Sequence, residues 1–140
     1  MASVLDDLAI YIHAQSTTFT IGGKLWKGRV PDTPDECVAL IEILGFEPPA
    51  ETFGPSGSFN WERPQIQVIS RAGRDAYKTA RTNAETVYKI LRSVHNNTTG
   101  INGTKYHLLS IRSSPYYQGE DDNSRHMISF TVDVWKDPSS

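Results

Sequence analysis

Between Arg74 and Val94 the apolar positions fall at Tyr77, Ala80, Ala84, Val87, Leu91 and Val94, a 3,4,3,4,3 spacing that one side of an α-helix can bury and one face of a strand cannot. Arg74, Lys78, Arg81, Lys89 and Arg92 occupy a second flank, centred about 120° round the helical wheel from the first. The chain must therefore fold around a helix that packs by one face and leaves another to water or a partner.

With 140 residues, residues 1–140 are read as one domain with its own core. A content of 38% hydrophobic and 21% charged residues excludes a disordered chain. No apolar run approaches the roughly 20 residues of a membrane-spanning helix, so no membrane partner is expected. Asp6 and Asp7 interrupt the first apolar positions, which argues against a signal peptide. The single cysteine, Cys37, excludes an internal disulfide and a thiolate metal cluster and fits a reducing setting.

The net charge of −2 is unevenly spread: Met1–Trp61 carries three basic and eight acidic residues, Glu62–Arg92 seven and three, and Ser93–Ser140 four and five. A positive segment of this kind can bind a polyanion, meet the acidic patch of an identical neighbour in a head-to-tail ring, or simply be solvated. Composition does not choose among the three.

Ser3 as N-cap and the helical spacing of Val4, Leu5, Leu8, Ala9 and Ile12 predict a first helix from Val4 to Ala14. Leu25–Val30 reads as a short edge strand guarded by Lys24, Lys27 and Arg29. After the PDTPD turn, Cys37–Leu44 is almost wholly apolar, as in a central strand covered on both faces, with helix as the competing assignment. Gly45–Phe59 reads as a long loop whose Phe53 and Phe59, with Trp61 behind them, either fold back over the sheet or dock into a neighbour. Gln65–Arg71 alternates like a strand with one buried face, and Asn96–Gly103 reads as a turn cluster. The remainder reads as a hairpin: Lys105–Arg112, a loop from Ser113 to Ser124, then Arg125–Lys136, where Ile128, Phe130, Val132 and Val134 alternate with Ser129, Thr131 and Asp133. The order α-β-β-β-α-β-β predicts an α+β fold, two helices on one largely antiparallel sheet of about five strands.

Catalytic chemistry finds little footing. His13, His95, His107 and His126 are widely spaced with no HxxxH or HExxH pattern, so neither a metal nor any other cofactor is expected. Cys37 sits in the most apolar segment, where a thiol is inert. Gly22-Gly23-Lys24 lacks the spacing and hydroxyl of a phosphate-binding loop. A proton-transfer pair such as His107 with Glu120 would have to converge across a hairpin by accident of folding. No enzyme is expected. Glu120, Asp121 and Asp122 lack calcium-loop spacing and read as a solvated hairpin tip. Repeated around the axis of a ring, such a tip would line a lumen that repels DNA and lets it slide.

Four passages carry a family likeness: WKGRVPDTPDECVALIEILGFEPP, RPQIQVISRAG, DAYKTARTNAETVYKIL and GTKYHLLSIRSSPYYQGEDDNSRHMISFTVDVW. Their order and spacing, from Leu25 to Trp135, resemble the tail-terminator or minor capsid proteins of long-tailed bacteriophages of Gram-positive hosts, also called tail-to-head joining proteins. Where that family often shows an Asn-Gly-Arg turn, this chain has Asn123, Ser124 and Arg125. The resemblance implies a non-enzymatic virion protein: a homo-oligomeric ring, usually a hexamer, that stops growth of the tail tube, meets the tail tube protein and the head connector or stopper, and lets genomic DNA pass through its lumen without specific binding. Such a ring needs two complementary patches on each subunit. The residues themselves put forward Arg74, Lys78, Arg81 and Arg92 for subunit or partner contact, with the acidic N-terminal third as their counterpart. Phe53, Phe59 and Trp61 are candidate apolar anchors, and Glu120, Asp121 and Asp122 candidates for the lumen or a docking loop. The alternative is a nucleic-acid-binding α+β domain using the Arg74–Arg92 helix, which would show salt-dependent DNA affinity in place of a high native mass.

Overall fold

The structure, a computed structural model, describes residues 4–43, 63–92, 95–101 and 104–136. The elements are α1 (Val4–Gln15), β1 (Leu25–Lys27), β2 (Cys37–Ile43), β3 (Gln65–Ala72), α2 (Tyr77–Arg92), β4 (His95–Ile101), β5 (Thr104–Ile111), β6 (Tyr116–Glu120) and β7 (His126–Lys136). The strands form one seven-stranded sheet in the order β1-β2-β3-β7-β5-β4, with β6 paired to β7 off that path. All pairings between these strands are antiparallel except that of β1 with β2. The α+β sheet carrying two helices is thus the fold that the alternation and the helical seam predicted.

β7 organises the sheet. One edge pairs with β3 from Gln65↔Asp133 to Ala72↔His126. The other is shared end to end: β5 takes Val132 to Lys136, and β6 takes His126 to Ser129. Between them the Arg112 N–H still donates to the Thr131 carbonyl at 2.9 Å, and the buried Pro115, which has no N–H to give, marks the break. Gly119, at φ +119°, sits where the β6 register shifts, a backbone conformation that glycine adopts without a Cβ penalty.

Two expectations are corrected here. Asn96–Gly103 is not simply a turn cluster, because His95–Ile101 forms β4 along the outer edge of β5. The hairpin loop Ser113–Ser124 contains β6. These two strands raise the count above five; backbone pairing to an existing edge overrides the weak strand preference of their Asn and Gly residues.

Both helices lie on one face of the sheet, packing against each other as well as on its strands. Ile66 and Val68 stand opposite Val132 and Phe130, and Val38 and Leu40 continue that row toward Leu25. Against these pack Val4, Leu8 and Ile12 of α1 and Val87 and Leu91 of α2. Full burial of side chains such as Leu91 and Ile12 stabilises by about 1.5–3 kcal/mol each. A second cluster of Ala72, Ala80, Ala84 and Ile128 is small enough to bring the start of α2 close to the sheet, where the buried Ser70 hydroxyl donates to the Ala80 carbonyl at 2.8 Å. Asp7, fully buried in α1, accepts from the Tyr106 hydroxyl at 2.6 Å and ties the helix to β5.

The other face is not purely solvated, in contrast to the one-sided burial expected of β3 and β7. Ile69, Arg71, Ser129 and Asp133 are all buried. Arg71 reaches the carbonyls of Pro34 and Asp35 at 2.7 and 3.2 Å, so the PDTPD turn, with its cis Thr33-Pro34 peptide, is drawn over that face. Asp133 is held by Arg63 at 3.1 Å, while Arg63 lies 4.0 Å over the Trp135 ring. Two-sided cover is also what the apolar run of β2 called for: Cys37 to Leu40 are buried, although Glu42 beyond them is exposed.

Candidate functional site

α2 carries its charge as a row. Lys78, Arg81, Glu85, Lys89 and Arg92 recur at steps of three or four residues and therefore line one flank over about 21 Å of helix. Arg81 and Glu85 neutralise each other at 3.2 Å. Lys78 and Lys89 are exposed and have no carboxylate partner among the described residues, and Arg92 lies over the Tyr88 ring at 5.3 Å. The seam beneath is as spaced: Ala80, Ala84, Val87 and Leu91 are buried. Tyr77 is not; it is 44% exposed at the start of the helix, and Val94 lies outside the described residues.

At that same start, three rings meet. Tyr77 packs 5.6 Å from Tyr117 and edge-on, 5.8 Å, from His126. The His126 ring bonds to the Arg74 carbonyl through Nε2 at 2.7 Å and to the Tyr117 hydroxyl through Nδ1 at 3.1 Å. A carbonyl only accepts, so Nε2 carries the proton, and Nδ1 of the neutral ring accepts from tyrosine. The histidine thus pins the turn before α2 to β6.

The acidic residues are arranged otherwise. Of those in the N-terminal third, three are engaged within the chain. Asp6 pairs with Lys27 at 2.6 Å, Asp7 is buried against Tyr106, and Glu36 accepts from Asn83 of α2 at 3.1 Å and pairs with Lys24 at 3.1 Å. The Asn83 hydrogen bond, with help from Lys24 and against the cost of burial, holds Glu36 below the usual carboxylate range.

Two more, Asp32 and Asp35, contribute to an acidic corner where the PDTPD turn meets the β6–β7 tip. Arg125, 9% exposed in its side chain, is the clasp: its Nε donates to Asp121 at 2.7 Å, and its Nη1 reaches Asp35 at 3.3 Å and the Asp32 carbonyl. Asp121 also accepts from the backbone N–H groups of Asn123 and Arg125, each at 2.9 Å. Burial pushes its pKa up, but the backbone donors and the Arg125 guanidinium outweigh this, and the carboxyl titrates below its ordinary value. Around the clasp stand Glu120, Asp122 and Asp32, all exposed, and Asp35, 66% exposed in its side chain. Ser124 within this tip has φ +61°, the left-handed conformation that a glycine would take without strain.

The structure therefore brings Arg74, Lys78, Arg81 and Arg92 to α2 or the turn before it, and Glu120, Asp121 and Asp122 to one tip. Phe53, Phe59 and Trp61 lie outside the described residues. Sequence reasoning missed Asp32, Asp35 and Arg125, since nothing local reports a pairing across 90 residues. Cys37, buried and free, has its thiol pKa pushed up by burial and is a core residue. No helix among the described residues is long and apolar enough to cross a membrane.

The structure is thus a two-helix α+β sheet with charged surfaces, and among its described residues no group of acids, histidines or cysteines is placed to hold a metal. Residues 11–134 match the family described as bacteriophage tail terminator protein, and the chain belongs to that family, a structural component of the virion tail. A chain in the solved "Virion of native gene transfer agent (GTA) particle" is similar in fold, with a TM-score of 0.58 and 13% sequence identity over 98% of this chain and 87% of that one. No curated protein matches this sequence.

Proposed function

We propose that this chain closes into a homo-oligomeric ring, a hexamer, that ends the tail tube and joins it to the head connector. Its work is shape and contact, not bond-making chemistry. The observation that carries this reading is the family match across residues 11–134. Lys78 and Lys89 support it, since both are exposed with no carboxylate partner among the described residues and can meet a partner. Arg74, Lys78, Arg81 and Arg92 are proposed for subunit or partner contact, and Phe53, Phe59 and Trp61 as apolar anchors. The tip residues Glu120, Asp121 and Asp122 are proposed for the lumen, where their charge would keep passing DNA from sticking, or for a docking loop. Virion assembly would take place in the host cytoplasm.

Native mass with and without purified tail tube protein tests this reading, because a ring can form only on contact with the surface that it caps. A monomer on assembled tubes would overturn it. The Arg74→Glu, Lys78→Glu, Arg81→Glu variant, folded but unable to assemble, would support the basic face as a contact. Retention on duplex DNA that weakens steeply with salt would instead favour nucleic-acid binding by α2.

A further inference from the structure

The Lys89–Arg92 end of α2 is an unpartnered helix face, and the same chain carries the surface that fits it. Glu85, the carboxylate one turn before Lys89, is taken by Arg81 at 3.2 Å. Lys89 and Arg92 are exposed, and neither has a carboxylate partner among the described residues. The acidic corner is the counterpart: the Arg125 guanidinium binds the Asp35 and Asp121 carboxylates and the Asp32 carbonyl, and Glu120 and Asp122 flank Asp121 in the chain. Glu120 and Asp122 are exposed, with no ion pair among the described residues. The corner adjoins the start of α2, because a side chain placed on Gly73 would come 3.8 Å from Asp35 Oδ2. Lys89 and Arg92 lie roughly 16–21 Å further along the helix than Lys78, so within one molecule corner and helix end stand apart. Two complementary patches displaced across a subunit are what head-to-tail association requires, whereas a single self-complementary patch gives a two-fold dimer.

We propose that the Asp32/Asp35/Glu120/Asp122 corner of one copy docks on the Lys89/Arg92 end of α2 in the next copy, and that this pairing is the seam of the ring. It rests on the ring reading above and names its contact. The clasp gives the corner its value as a docking surface: Asp121 and Arg125 fix the tip against the PDTPD turn before a neighbour arrives, so little ordering remains for association to do. Opposite charges of this kind steer encounter and set register, and added salt weakens them.

The test uses two variants of the full chain, Glu120→Lys/Asp122→Lys and Lys89→Glu/Arg92→Glu, measured by native mass on purified tail tubes. All four positions are exposed and outside the core, and unchanged circular dichroism checks folding. Each variant alone is expected to assemble roughly tenfold or more weakly, because like charges then face one another at every seam. An equal mixture of the two restores an even-membered ring, since each reversed surface then meets its opposite. The chain carrying all four substitutions restores the ring by itself. Rings from either single variant at wild-type concentrations would overturn the seam and leave the ring reading standing. So would failure of both the mixture and the fourfold variant. A wild-type chain that stays monomeric on tail tubes would remove the ring reading and the seam together. DNA retention lost in Lys89→Glu/Arg92→Glu while its rings persist would assign this helix end to a polyanion instead.

Discussion

The acidic corner and the basic face of α2 both look like charge runs in the sequence, yet the fold treats them in opposite ways. At the corner, Asp121 accepts three hydrogen bonds and Arg125 reaches two carboxylates and a carbonyl. On α2, Lys78 and Lys89 end in solvent, and the one ion pair in the row, Arg81 with Glu85, joins two residues a turn apart. Charge at the corner holds two distant loops together; charge on the helix ties α2 to no other element among the described residues. The first kind should show in folding measurements, and the second only when a partner is present.

The sharpest break in that contrast would come from Arg125→Ala. Removing the clasp leaves Asp121 and Asp35 without their shared cation, and a loss of about 2–3 kcal/mol in unfolding free energy, seen as a lower denaturant midpoint, is expected. A midpoint within a few tenths of wild type would mean that the corner is as expendable as the helix face. Asp121→Asn should cost less, about 1–2 kcal/mol at neutral pH. It should also flatten the acid limb of stability. Because the folded Asp121 titrates below its unfolded value, its contribution is fully present above the unfolded carboxyl range and is lost as pH falls through the folded one. Denaturation at pH 7 and pH 3 reads this directly. Ser124→Gly should act in the opposite direction, gaining about 0.5–1 kcal/mol, since relief of the left-handed strain exceeds the added freedom of the unfolded chain. At the small end, Lys78→Ala and Lys89→Ala should shift monomer stability by less than about 0.5 kcal/mol.

What could be read from the sequence divides along the same line. The α2 seam and the β7 alternation were legible because each is set by a local period, and Ala80, Ala84, Val87 and Leu91 are buried as the spacing put them, although Tyr77 is not. β4 was not, since HNNTTGI carries turn-forming residues and becomes a strand by lying against an edge that only the fold provides. β6 was hidden because it is a run of only five residues that follows Pro115 and contains Gly119, although two of them are tyrosines. The basic face was visible as pattern; its freedom from internal pairing was not, because that depends on where every acid in the first third of the chain ends up. The corner was least legible, as Asp32 and Asp35 join Arg125 from some ninety residues away.

β7 is hydrogen-bonded to β3 along one edge and to β5 and β6 along the other, and it follows all three in the chain. During synthesis β3, β5 and β6 leave the ribosome without the strand that unites them, so the sheet cannot close until His126–Lys136 has emerged. Until then the nascent chain presents unsatisfied strand edges, the state in which a crowded host producing many copies at once is most exposed to wrong pairing between chains.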